Sequence, residues 1–213
     1  MVRVKICGLT NLEDAASACD HGADLVGFVF AEVSPRAVGA ETVREIVSAL
    51  PAGVGKAGLF KDSPLEEVAG AAVACGLDHI QLHGGESPEY CRELKEALSE
   101  KGLNVKIIKT FKVKDNILGR TPGDFDSADY YLFDTFHPDM MGGTGISFDW
   151  SVLEGFKWDR PFFLAGGLTP GNVAEAVRVV RPYGVDVSSG VEASTGKKDG
   201  VKIKEFIKNA KDA

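Results

Sequence analysis

The stretch "VRVKICGLTNLEDAASACDHGADLVGFVF", residues 2–30, contains one complete strand–helix–strand pattern. The apolar runs at 2–6 and 23–30 predict two strands, and the mixed run at 11–22 predicts a helix between them. Two strands joined by a helical crossover indicate a βαβ unit of a parallel sheet. The same alternation continues along the chain and decides the fold.

Strand-like and helix-like runs alternate from one end of the sequence to the other. Helical patterns lie at 11–22, 40–50, 64–76, 88–102 and 172–184. A last helix is predicted in the lysine-rich tail from Lys197. A helix within 113–128 is only poorly marked. Eight units of about 27 residues each predict an α/β fold, a (β/α)8 TIM barrel, as a single domain over 1–213. The predicted strands are 2–6, 23–30, 55–60, 78–82, 104–111, 130–134, 161–165 and 184–189.

The composition excludes several classes of protein. With 24 Lys and Arg against 31 Asp and Glu, the net charge is −7, which argues against nonspecific binding to nucleic acid. The sequence has neither a signal peptide nor an apolar run that approaches a membrane span. Its four cysteines show no CxxC spacing, so we expect no metal site, no disulfide framework and a cytoplasmic location.

Polar side chains alternate with apolar ones along three of the predicted strands. Alternation places each set on one side of its strand, so in a barrel the apolar set faces the helices and the polar set points inward. Active sites of such barrels lie at the C-terminal ends of the strands. The last inward positions are Cys7, His83, Asp134 and Ser188.

Two of these positions carry groups suited to proton transfer. Cys7 ends a strand, precedes a helix start and shares its face with Lys5, an arrangement that favours a thiolate. The thiolate would be a nucleophile or a base, and position alone does not choose between them. Asp134 ends the apolar run "YYLFD", where partial loss of water raises a carboxyl pKa and suits a general acid. A helix cap or an ion pair explains Asp134 equally well.

Two glycine-rich turns follow the last two predicted strands. In barrels of this kind, the loops after strands seven and eight commonly bind phosphate through backbone N–H groups and a helix N-terminus. We therefore expect a phosphate site rather than merely tight turns. Its candidates are Gly166, Gly167, Ser189 and Gly190.

Two other glycine motifs are misleading. "GVGKAG" at 53–58 leads into a strand, whereas a dinucleotide fingerprint needs a strand before it and a helix after it. "GVEASTGKK" at 190–198 has the wrong spacing for a P-loop, and Lys198 stands where Ser or Thr should bind magnesium. The lysines from Lys197 onward are interpreted as the solvated face of the last helix.

Six ordered blocks together resemble the phosphoribosylanthranilate isomerase family. They are "KICGLT" 5–10, "GADLVGFVFAEVSPR" 22–36, "IQLHGGE" 80–86, "LFDT" 132–135 followed by "GGTGISFDW" 142–150, "LAGGLTPGNV" 164–173 and "GVDVSSGVEASTGKKD" 184–199. The resemblance implies a (β/α)8 barrel and a cofactor-free Amadori rearrangement of a phosphosugar, N-(5'-phosphoribosyl)anthranilate. The sequence leaves a monomer and a homodimer equally open.

The resemblance also implies roles for particular residues. Asp134 would be the general acid and Cys7 the general base, while Arg36 would hold the anthranilate carboxylate. His83 and Asp186 would line the substrate pocket, and the glycine turns would hold the phosphate. From position alone, Arg36 would more simply be a surface arginine.

Two alternatives remain at the level of sequence. One is another phosphosugar-converting barrel, such as an indole-glycerol-phosphate synthase or a pentose-phosphate epimerase. A synthase should show a catalytic lysine and an additional N-terminal segment, and an epimerase should show metal-binding histidines and aspartates at its strand ends. The other alternative is a catalytically silent sugar-phosphate binder, against which the pair Cys7 and Asp134 argues.

Overall fold

The alternation of strands and helices closes into a barrel in the computed structural model, which describes residues 1–114, 117–118, 122–135, 150–153 and 158–213. Each strand pairs in parallel with the next one along the chain, and the eighth pairs with the first, so the predicted (β/α)8 fold is confirmed. The strands are β1 Arg3–Ile6, β2 Leu25–Val29, β3 Gly55–Phe60, β4 His79–Leu82, β5 Lys106–Lys114, β6 Tyr130–Thr135, β7 Phe162–Leu164 and β8 Gly184–Val187.

Six α-helices cover the outside of the barrel in these ranges. All six predicted helices are present, and none of them is long and apolar enough to cross a membrane. After the fifth strand, where the sequence marks a helix only poorly, β5 pairs with the short antiparallel strand Ile117–Leu118, and a 3-10 turn lies at Pro122–Asp124. The helices are α1 Leu12–Asp20, α2 Ala40–Ala49, α3 Leu65–Cys75, α4 Pro88–Glu100, α5 Val173–Val180 and α6 Gly200–Lys211.

The predicted division between the two faces of the strands is also observed. Val4 and Ile6 of β1 belong to the large core between barrel and helices, whereas Lys5 lies buried inside the barrel. A separate, smaller apolar cluster fills part of the interior. Its buried members are Leu25, Ile108, Leu132, Phe163 and Ala165.

After β8, the chain forms a short feature that the sequence did not predict. A 3-10 turn at Ser189–Val191 leads into an antiparallel hairpin between Glu192–Ser194 and Lys197–Lys198. The "GGTGISFDW" block lies outside the described residues except for Trp150.

Candidate active site

The four predicted mouth residues come from the C-terminal ends of four different strands. Cys7 and His83 directly follow β1 and β4, Asp134 is the penultimate residue of β6, and Ser188 follows β8. Backbone hydrogen bonds fix two of these positions, since Cys7 N–H donates to Val187 and His83 N–H donates to Phe60. The structure brings His83 and Asp134 together, with 3.5 Å between Nε2 and the carboxylate.

Cys7 is nearly fully buried, with only 4% of its surface exposed. Burial raises the pKa of its thiol, and the carboxylate of Asp186 adds to the effect, while the cations Lys5 and Lys198 oppose it. Lys5, which the sequence places beside Cys7, favours the thiolate as expected, but burial outweighs it and the pKa of the thiol lies above its ordinary value.

An ion pair lies inside the barrel close to this thiol. Lys5 Nζ donates to Asp186 Oδ1 over 2.8 Å, and the lysine side chain is fully buried. Burial disfavours its charge, but the carboxylate of Asp186 and the neighbouring Cys7 outweigh that cost and raise the pKa of Lys5. The predicted pocket residue Asp186 thus contacts a cation that the sequence had only placed beside Cys7.

His83 is held between a glutamine and the predicted acid. Its Nδ1 lies 3.2 Å from Nε2 of the buried Gln81, and its Nε2 faces Asp134. Burial, together with several nearby lysines, lowers the pKa of His83 to about 3. The ring is therefore neutral near pH 7, and if its Nδ1 accepts from Gln81, its single proton points towards Asp134.

Arg36 is part of a buried network rather than a free surface arginine. Its Nε and Nη2 donate to the two carboxylate oxygens of Glu192 over 2.7 and 2.8 Å. This side-on pair leaves the end-on edge of the guanidinium, formed by Nη1 and Nη2, available to a second carboxylate. Gly8 leaves room for the arginine, since a Cβ there would lie 2.7 Å from Arg36 Cδ.

Two residues of this network were missed by the sequence analysis. The interpretation of the lysines from Lys197 onward as solvated is wrong for Lys198, whose side chain is fully buried. Lys198 Nζ bonds to Ser188 O at 3.0 Å and to Glu192 at 3.1 Å. Burial disfavours the charge on Glu192, but Arg36 and Lys198 prevail and lower its pKa. The signal available in the sequence was the pair of opposite charges Glu192 and Lys198, which lie six residues apart after the eighth strand.

The two glycine turns meet at the mouth. Gly166 and Gly167 both have positive φ angles, 86° and 66°, which glycine adopts without strain. The turn after β8 packs against Leu168, the residue after Gly167, because a Cβ on Gly190 would lie 1.9 Å from the carbonyl oxygen of Leu168. The structure therefore brings together the candidates Gly166, Gly167, Ser189 and Gly190, next to the N-terminal end of α5.

No group of three or more His, Cys, Asp or Glu side chains in the described parts of the chain could hold a metal ion. His79 and His83, four residues apart, lie at opposite ends of β4, and His79 pairs with Asp78 instead.

A closed barrel with a thiol, a carboxylate and paired glycine turns at its C-terminal mouth defines a (β/α)8 barrel enzyme. The family described as N-(5'phosphoribosyl)anthranilate (PRA) isomerase matches residues 4–209. The chain belongs to this family.

Individual relatives support the assignment. The chain is 47% identical to the N-(5'-phosphoribosyl)anthranilate isomerase of Pelobacter propionicus, covering 100% of this chain and 97% of the relative. Its structure is similar to that of the isomerase from Thermotoga maritima, with a TM-score of 0.84 and 42% identity over 100% of both chains. A third relative, in complex with reduced 1-(o-carboxyphenylamino)-1-deoxyribulose 5-phosphate, has a TM-score of 0.79 and 41% identity over 100% of both chains.

Proposed function

We propose that this chain catalyses the Amadori rearrangement of N-(5'-phosphoribosyl)anthranilate to 1-(2-carboxyphenylamino)-1-deoxyribulose 5-phosphate, a step of tryptophan biosynthesis. The observation that carries the proposal is the family match over residues 4–209. The phosphosugar bound by a 41% identical relative supports the class of substrate.

The reaction needs one acid and one base, placed on either side of the sugar. Asp134 protonates the ribose ring oxygen, the C1–O bond breaks, and the anthranilate nitrogen becomes an iminium. Cys7 then removes the proton from C2; the electron pair of that C–H bond forms a C1=C2 double bond while the π pair of the C=N bond moves to the iminium nitrogen, which gives an enolamine. Tautomerisation to the ketone completes the isomerisation. Because the iminium nitrogen accepts the electron pair, we expect no metal or cofactor.

The remaining residues hold the two ends of the substrate. The glycine turns after β7 and β8 bind the phosphate through backbone N–H groups. Arg36 binds the anthranilate carboxylate with its end-on edge, while Glu192 holds its side-on edge. His83 and Asp186 line the pocket beside the acid and the base. We place this enzyme in the cytoplasm, as a monomer or a homodimer.

The test follows the loss of phosphoribosylanthranilate fluorescence with purified protein and no added metal. We expect Cys7→Ala and Asp134→Asn each to lower kcat by about 10² or more, because each removes one proton-transfer group. The affinity for a phosphosugar product analogue, measured by calorimetry, should change by no more than a few-fold in the same variants.

Two matched variants serve as controls. Cys19→Ala removes a partly exposed cysteine of α1, and Asp126→Asn removes an exposed carboxylate between Pro122–Asp124 and β6. Both should retain turnover. Normal turnover in Cys7→Ala or Asp134→Asn would remove that residue from the mechanism, and binding of the analogue without turnover by the unaltered protein would identify a silent binder.

A further inference from the structure

Lys5 is a buried charge to which the proposed reaction gives no part. Its side chain is fully buried inside the barrel, one inward position before Cys7 on the same strand. A charge is expensive to bury unless it is paired, and Lys5 is paired with Asp186 over 2.8 Å. A purely structural interior would favour apolar side chains of similar volume, so this pair requires an explanation.

The ammonium lies beside the sulfur. A side chain added at Gly27 of β2 would place its Cβ 3.0 Å from Cys7 Sγ and also 3.0 Å from Lys5 Nζ. The two atoms therefore border the same small space inside the barrel, which glycine leaves open. Since both atoms lie 3.0 Å from that one point, at most about 6 Å separates Lys5 Nζ from Cys7 Sγ. In a buried site, a positive charge this close to a thiol strongly favours its ionisation.

Other charged groups also face Cys7, and they differ in how their charge is balanced. From the neighbouring elements these are Asp186 of β8, Lys198 of the hairpin and Arg36 of the loop after β2. Lys198 and Arg36 share the carboxylate of Glu192. Lys5 is equally buried but does not share that carboxylate, because its partner is Asp186 over 2.8 Å.

We propose that Lys5 is a positioning residue that acts through Cys7: its ammonium stabilises the thiolate from which the base acts, and Asp186 holds that ammonium beside the sulfur. The inference rests on the proposed role of Cys7 as the base. A base at this position changes between thiolate and thiol in every turnover, and Lys5 remains protonated throughout. Lys5 thus opposes the effect of burial on Cys7 and favours formation of the thiolate.

The proposal predicts opposite changes in the pKa of Cys7 when Lys5 and Asp186 are replaced. A merely structural role of the pair would not predict this. Lys5→Met removes the cation and should raise the pKa of Cys7, whereas Asp186→Asn removes the anion and should lower it. The pH dependence of Cys7 alkylation by iodoacetamide measures this, because only the thiolate reacts. In a Cys19→Ser background, at pH 7, we expect alkylation about tenfold slower in Lys5→Met and about tenfold faster in Asp186→Asn.

A conservative variant completes the test. Lys5→Arg keeps the charge and should leave the alkylation profile of Cys7 close to that of the background protein, even if kcat falls. If Lys5→Met does not fold, Asp186→Asn and Lys5→Arg still decide the question. An unchanged profile in Asp186→Asn, or a shift in the same direction in Lys5→Met and Asp186→Asn, would overturn the proposal. Because the readout is alkylation, these results stand apart from turnover, which tests the proposed function.

Discussion

At His83, burial and neighbouring charge act in the same direction. The ring is partly enclosed at the mouth, with several lysines around it, and both effects disfavour the imidazolium. Its neutral form can then orient the carboxylate of Asp134 without adding a charge that would hold the acid in its ionised state. The lysines that contribute are Lys112, Lys5, Lys109 and Lys61.

This environment makes stability depend on pH. The folded pKa of His83 is about 3, and the unfolded chain has the ordinary value of about 6.5. As pH falls below about 6.5, the unfolded state takes up a proton that the folded state does not, so stability present above that pH is lost. When the pH falls from about 7 to about 5, His83 should lower the unfolding free energy by roughly 2 kcal/mol. His83→Gln should remove this part of the pH dependence.

Urea unfolding of both proteins at the two pH values measures this difference. His21→Gln, which removes an imidazole from the C-terminal end of α1, is the matched control. If lowering the pH reduced the stability of His83→Gln and of the unaltered protein equally, the pKa of His83 in the folded state would be the ordinary one.

At the scale of elements, the phosphate site depends on two turns that fit against each other. The close approach of Gly190 to the carbonyl of Leu168 leaves no room for a side chain, so each turn fixes the other. Asn172 adds to this arrangement, since its side chain accepts from Thr169 N–H and donates to Gly167 O.

Gly190→Ala should therefore damage phosphate binding more than overall stability. The new Cβ must push the Leu168 carbonyl and the turn after β7 away, which we expect to raise KM by about tenfold or more and to cost about 1–3 kcal/mol of stability. Gly171→Ala is the matched control in the same segment, because its Cβ would meet its nearest neighbour at an ordinary 3.8 Å. A KM for Gly190→Ala within twofold of that of Gly171→Ala would contradict the fit of the two turns.

The ends of the elements show where local sequence signals suffice. Ser87, a typical N-cap residue before Pro88, is the N-cap of α4, where its side chain accepts from Tyr90 N–H. The same Ser/Thr-Pro pattern at 63–64 and 169–170 does not cap its helix; α3 is capped by Pro64 without a side-chain bond, and α5 begins only at Val173. In the second case, Asn172 is the N-cap residue, and its side chain accepts from Thr169 N–H.

The contacts that the sequence did not predict join residues far apart in the chain. Alternating polarity was enough to place Cys7, His83 and Ser188 at the mouth, because period-2 patterns depend only on neighbouring residues. The bonds of Glu192 to Arg36 and of Lys5 to Asp186 span 156 and 181 residues, and no local pattern encodes such partners. Lys198 was misread for another reason: its partners Ser188 and Glu192 are only 10 and 6 residues away, but they meet it through a hairpin that the sequence did not predict.

At the scale of the whole molecule, the interior of the barrel is divided between stability and chemistry. An apolar cluster around Leu132 fills part of it, and the ion pair and the mouth residues occupy the rest. Leu132 lies two residues before Asp134 on the same face of β6, so the two roles are neighbours on one strand.

Leu132→Ala tests this division. The side chain is fully buried, so its truncation should lower the unfolding free energy by about 2–5 kcal/mol through lost burial and a residual cavity. For a chain of this size, the melting temperature should fall by roughly 10 °C. At 25 °C, where the variant stays folded, kcat should remain within about twofold, since no group that touches the substrate is altered.

Leu12→Ala provides the comparison, because Leu12 is 46% exposed on α1 and its truncation should leave both quantities nearly unchanged. Calorimetry and the fluorescence assay on the same preparations separate the two effects. A large fall in kcat for Leu132→Ala well below its melting temperature would mean that the apolar cluster positions Asp134 directly, and that the barrel interior acts as one unit.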